Sequence, residues 1–140
     1  MYQKDYILRM IEMLGELLAG IFGLIKKGEY RRASEQIGRI YYNILKEDAA
    51  FFRTIPEADL THKLLYEHNY TNSHLEILAE LFNAEAELTF AQGKKSESIE
   101  YSRKSLMLFE FIDADQKTYS LERINKMESI RKRIENLKGS

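Results

Sequence analysis

Residues 93–110 read GKKSESIEYSRKSLMLFE. A glycine opens the stretch, a polar spacer follows, and small and apolar residues then recur at three- and four-residue intervals. That spacing describes a helix entered through a tight turn. Residues 28–45, GEYRRASEQIGRIYYNIL, repeat the pattern. Five residues after each glycine stands a small one, Ala33 or Ser98. Nine and twelve residues after it stand Ile37 and Ile40 in the first stretch, Ser102 and Ser105 in the second. Small side chains let helices approach closely, so Ser98 and Ser105 are expected to be buried against the preceding helix, residues 73–92.

Working outward, each glycine follows a helical pattern. Ile7, Ile11, Leu14, Leu18, Ile21 and Ile25 form an apolar stripe, which predicts a first helix over 4–27. The second helix starts near Glu29, and the pattern allows it to run on through Ala49–Phe52, closing a hairpin over 4–52. Pro56 is suited to a first helical turn and predicts a short helix over 56–68. In S-H-L-E, Ser73 and Glu76 have the spacing of a capping box. The helix that follows has two apolar faces, Leu75, Leu78, Phe82 and Ala86 on one and Ile77, Leu81, Ala84 and Leu88 on the other. It must pack on two sides, and with the opening stretch it forms a second hairpin, 73–112. Asp115 is the expected cap of a last helix, 116–137, whose single stripe (Leu121, Ile124, Met127, Ile130, Ile134, Leu137) suits an element that covers the end of a stack.

Composition agrees. The chain has 140 residues, enough for one core, with 44% hydrophobic and 31% charged residues and one proline, Pro56. Leu, Ile, Glu, Lys and Ala dominate, and sheet-forming runs are missing. The expectation is one all-α domain of five or six helices in antiparallel hairpins. A net charge of −1 argues against nucleic-acid binding. The most apolar run, LLAGIFGLI (17–25), is far shorter than the roughly 20 residues a membrane span needs. The start, MYQKDYILRM, lacks the apolar run of a secretory signal, and the absence of cysteine fits a reducing compartment; a cytoplasmic protein is expected.

The second hairpin resembles a tetratricopeptide repeat. That family's second helix reads G-x-x-x-x-A-I-x-x-Y/F-x-x-A-L, and Gly93, Ser98, Ile99, Ser105 and Leu106 match it with serine in place of alanine. Upstream, Ala86 stands at the family's small position and Phe82 at its aromatic one, whereas Glu85 replaces a usual leucine. The first hairpin matches at Gly28, Tyr30 and Ala33, with Ile21 where a small residue is usual. The two glycines lie 65 residues apart, near twice the repeat of about 34. The resemblance implies a right-handed stack of hairpins ending in a capping helix. The opening DYILRMIE is also similar to that of a family of small bacterial helical proteins without assigned function.

Chemistry is sparse. The histidines His62, His68 and His74 fall on different faces, and no Glu-x-x-His pair or H-E-x-x-H exists to build a helical metal site. No G-x-S-x-G nucleophile elbow and no phosphate loop is present. Gly15, Gly20 and Gly23 sit inside a helical pattern, where they suggest close helix approach. No catalytic residue, metal ligand or cofactor is assigned, and no enzyme activity is expected.

What remains is charge and shape. The fourth helix carries Glu76, Glu80, Glu85 and Glu87 without a cation between 76 and 92. The last helix is rich in Lys and Arg. Both read first as solvated faces, next as complements within the chain, and third as a partner surface. The expected function is protein–protein contact, including self-association to a homo-oligomer, with no nucleic acid and no membrane. On the repeat resemblance, a peptide would meet Glu80, Asn83, Glu87 and Phe90. Glutamates there repel a C-terminal carboxylate and favour a basic or polar segment. Leu18, Phe22 and Ile25 would supply a self-association surface. The alternative is a helical bundle that binds a small molecule or a metal.

Overall fold

Both hairpin turns close with the same hydrogen bonds. The amide of Gly28 donates to the Ile25 carbonyl and that of Glu29 to the Leu24 carbonyl, at 3.0 and 2.9 Å. Gly93 and Lys94 donate to Phe90 and Thr89 in the same register, at 3.0 and 2.8 Å. The two glycines have φ of 80° and 78°, a left-handed conformation that a side chain would strain. The computed structural model describes residues 2–117 and 119–140, with side chains from residue 6 onward.

Among the described residues there are seven α-helices and no strand. The long ones are α1 (Tyr2–Lys26), α2 (Tyr30–Ile40), α5 (Asn72–Ala91), α6 (Lys95–Gln116) and α7 (Leu121–Lys138). Two short ones, α3 (Ala49–Arg53) and α4 (Leu60–His62), lie in the segment between the hairpins. α5 is central: it packs on α1 and α2 on one side and on α6 on the other, and α7 packs on α6. The two apolar faces read from its sequence are buried throughout. Removing each such Leu, Ile or Phe from water contributes about 1.5–3 kcal/mol. No helix among the described residues is long and apolar enough to cross a membrane.

The second hairpin is sealed by its serines. Ser98 and Ser105 are fully buried, and their hydroxyls donate to the Ala86 and Ala79 carbonyls of α5 at 2.8 and 2.7 Å. A small side chain brings α6 close enough to reach α5's backbone, and the hydroxyl is satisfied in the act. Tyr30 ties the two hairpins, its hydroxyl donating to the Ala91 carbonyl at 3.3 Å.

Several expectations need correction. The second helix does not continue into Ala49–Phe52. A five-residue π turn, Tyr41–Leu45, ends at Lys46 with φ 66°, and α3 starts afresh with the Asp48 carboxylate accepting the Phe51 amide at 3.1 Å. Ser73 and Glu76 do not form a capping box. α5 begins earlier, capped at Thr71, whose amide donates to His74 Nδ1 at 3.1 Å while His74 stacks on Tyr70 at 4.7 Å. Asp115 does not cap the last helix: it belongs to α6 and accepts from Asn72 Nδ2 at 2.7 Å, and Ser120 caps α7 by accepting the Arg123 amide. Leu121 is therefore exposed at the start of α7 rather than part of its buried stripe. Gly15, Gly20 and Gly23 have no helix close against them, since a Cβ at any of them would meet nothing within 4 Å.

The segment over 46–71 adds an aromatic wedge. Phe52 is fully buried, stacked on Tyr41 at 5.2 Å. The helix expected over 56–68 is a 3₁₀ turn (Glu57–Asp59), α4, and a π turn (Lys63–Glu67), with Pro56 extended ahead of it. Leu60 and Leu64 are fully buried.

Candidate functional site

Glu76, Glu80, Asn83, Glu87 and Phe90 recur at three- and four-residue spacing and so share one face of α5. This face lies beside the serine seam with α6, since one guanidinium, that of Arg133, bonds Asn83 and Glu87 together with Ser102 of α6. Three depressions run along it. The first, of about 360 Å³, has Ile11, Leu14 and Leu18 of α1 facing Glu76 and Glu80. The second, of about 390 Å³, joins Phe22 and Ile25 of α1 to Asn83 and Glu87. The third, of about 300 Å³, joins Glu87 and Phe90 to Ser129 and Arg133 of α7. α5 is thus the floor of a groove whose walls are α1, largely apolar, and α7, largely charged.

The wall formed by α7 is held by its own stripe and by ion pairs. Met127, Ile130, Ile134 and Leu137 are buried. Lys126 pairs with Glu80. Arg133 is the better connected cation: its guanidinium donates to Glu87 and Asn83, each at 2.6 Å, and to Ser102 at 2.9 Å. Burial lowers the Arg133 pKa, with Glu87 opposing the shift. On the α6 side, Arg123 meets Asp113 at 3.0 Å and Arg131 meets Glu110 at 2.9 Å. The acidic and basic helices are therefore complements within one chain.

The two groups of residues singled out in the sequence come together here. Phe22 and Ile25 line the same depression as Asn83 and Glu87. Three of the four α5 residues already have partners on α7, and Phe90 stays exposed. Leu18 is a correction: at 7% exposure it belongs to the core, so it cannot supply a self-association surface by itself. Phe22 is exposed and Ile25 half-buried, as befits a groove wall.

Sequence reasoning missed a second polar cluster, on the inward face of α5. Glu85 is 3% exposed and accepts from Arg53 Nε at 2.5 Å, from Arg53 Nη2 at 3.3 Å and from the Tyr41 hydroxyl at 3.1 Å. Lys104, also buried, donates to the Arg53 carbonyl at 3.4 Å and lies 3.5 Å from Glu100. Burial and the Glu85 charge push the Tyr41 pKa well up and that of Tyr101 to about 12, which keeps Tyr41 a donor. The cluster is saturated and lines none of the three depressions, so it reads as structure. Its signal was the departure of Glu85 from leucine, but nothing local pointed to Arg53.

Among the described residues, no three His, Asp or Glu side chains converge as a metal site would require. His74 caps α5 and its pKa is lowered by burial; His68 packs edge-on to Phe51 at 4.8 Å. No protein-family model, curated protein or solved structure matches the chain.

Proposed function

We propose that the chain is a non-catalytic protein-binding module, a tetratricopeptide-like stack of two hairpins with α7 as its cap, that docks a partner segment in the groove between α1 and α7. The carrying observation is the outward face of α5, where carboxylates, an amide and the exposed Phe90 line three neighbouring depressions, two of them walled by apolar residues of α1. The matching hydrogen bonds at Gly28 and Gly93 support the repeat, as does the burial of the equivalent positions Ala33 and Ser98, Ile37 and Ser102, Ile40 and Ser105. Glu85, out of place for that family, is accommodated by Arg53 and Tyr41.

The test is selection of peptides from a random library on the full chain, followed by two bulky substitutions. Asn83→Trp fills the channel and should abolish binding of the selected peptides. Arg39→Trp, on the exposed side of α2, should leave it intact. Loss with Arg39→Trp and not with Asn83→Trp would move the site out of the groove.

Self-association belongs to the same proposal, carried by α1: Met13, Leu17 and Phe22 expose apolar surface. Phe22→Glu should leave the fold intact and convert an oligomer to a monomer in light scattering. A wild-type chain that is monomeric at high micromolar concentration rejects this part.

A further inference from the structure

The outward side of α1 carries a charge pattern that is complementary to itself. Glu12 and Lys26 stand seven residues before and after Ala19, and Gly15 and Gly23 stand four before and after it. Intervals of three, four, four and three residues put all five on one stripe of the helix. Glu12, Gly15, Ala19 and Lys26 are exposed and Gly23 is half-buried. Neither Glu12 nor Lys26 forms an ion pair among the described residues. Leu8 and Phe22 expose apolar surface along the same edge. Glycine is a poor helix residue, and with open space at Gly15 and Gly23 nothing packed within the described chain explains why two stand here.

The stripe is symmetric in size and antisymmetric in charge, and a second copy satisfies both. Turned end for end about Ala19, another α1 sets its Lys26 against Glu12 and its Glu12 against Lys26, each pair about 10 Å along the helix from the axis. Gly15 then faces Gly23, and the small residues between the two ion pairs let the backbones approach closely. A parallel pair opposes Glu12 to Glu12 and Lys26 to Lys26, so charge selects the antiparallel one. A different protein would have to bring the same order of acid, gap and base, which the second copy already carries. The contact is two-fold and closed, so assembly stops at a dimer.

We propose that the chain pairs with a second copy of itself through this stripe, α1 antiparallel to α1 across an axis at Ala19, with two Glu12–Lys26 ion pairs closing the ends. The inference rests on the self-association reading and gives it an orientation and a register.

The experiment is sedimentation equilibrium of the full chain up to high micromolar concentration. Glu12→Lys and Lys26→Glu should each weaken the dimer by about tenfold, since each turns both pairs repulsive. The double exchange Glu12→Lys/Lys26→Glu should restore it to within about threefold. The chain has no cysteine, so introduced thiols report the register under mild oxidation. Ala19→Cys should cross-link to itself, and Glu12→Cys should cross-link to Lys26→Cys in a mixture faster than to itself. A double exchange as weak as the single variants overturns the proposal, and so does Glu12→Cys that cross-links mainly to itself. If the wild type dimerises and Phe22→Glu disrupts it, but the exchange restores nothing and Ala19→Cys stays uncross-linked, the inference fails and self-association through α1 stands. A wild-type chain that is monomeric throughout rejects both and leaves the stripe to another partner.

Discussion

α5 carries carboxylates on two faces, and the protein treats them in opposite ways. Inward, Glu85 is withdrawn from water and all its interactions are made inside the core. Outward, Glu80 and Glu87 are paired with cations of a helix that arrives later in the chain, while Glu76 forms no ion pair among the described residues and feels Arg123 and Lys126 only from farther off. A buried carboxylate must be matched at folding, because leaving it unmatched costs several kcal/mol. A half-exposed one can stay under-matched at small cost, which leaves it free to select a partner. The same residue type, on one helix, is a structural tie on one side and, in the function proposed above, a recognition element on the other.

Arg53→Ala should break the inward face hardest. It strands Glu85 in the core and should cost about 3–5 kcal/mol in urea unfolding. Glu85→Ala should cost less, about 1–3 kcal/mol, because Arg53 is 30% exposed and can turn to solvent. A larger loss for Glu85→Ala would reverse the assignment of which partner is trapped. Ser105→Leu comes next: it pushes α6 off the Ala79 carbonyl and should cost about 1–3 kcal/mol. A thermal melt that matches the parent would place Ser105 outside the seam.

The outward face should respond more mildly and should feel salt. Arg133→Ala removes three hydrogen bonds; Glu87 and Asn83 can turn to water, although Ser102 is buried, so about 1.5 kcal/mol is expected. Half-molar salt should shrink that difference while leaving the Arg53→Ala deficit nearly unchanged, since screening acts on exposed pairs. Equal salt response in both variants would erase the contrast between the faces. The smallest effect belongs to Glu76→Gln, within about 0.5 kcal/mol. Because the folded-state pKa of Glu76 is raised, its ionisation opposes folding, so the variant should be slightly more stable at neutral pH. That gain fades as pH falls through the raised pKa and is absent below the ordinary one, where the carboxyl is neutral in both states. A variant less stable than the parent at pH 7 would contradict the sign.

The parts legible in the sequence were the periodic ones. Helical stripes, the glycine turns and the buried serines depend on residues within a turn or two of each other, so spacing reveals them. Helix starts were read less well because several residues compete to cap. Thr71 prevails over Ser73 because His74 bonds its amide and stacks on Tyr70, and Ser120 prevails over Asp115 because Asp115 is held by Asn72 from α5. The break at Lys46 has no glycine to announce it. The groove residues were read as two separate surfaces, since only packing reveals that Phe22 and Asn83 face each other. The Arg53–Glu85 tie spans 32 residues, and no local pattern encodes such a pairing.

The most direct measurement is side-chain NMR of the full chain bound to a library-selected peptide, comparing methyl and ring signals from the two faces of α5. Shifts should concentrate on Phe22, Ile25, Asn83 and Phe90, with Leu78, Ser105 and Leu64 unmoved. Shifts confined to the exposed sides of α2 and α6, with the groove silent, would contradict the assignment of the outward face as the recognition surface.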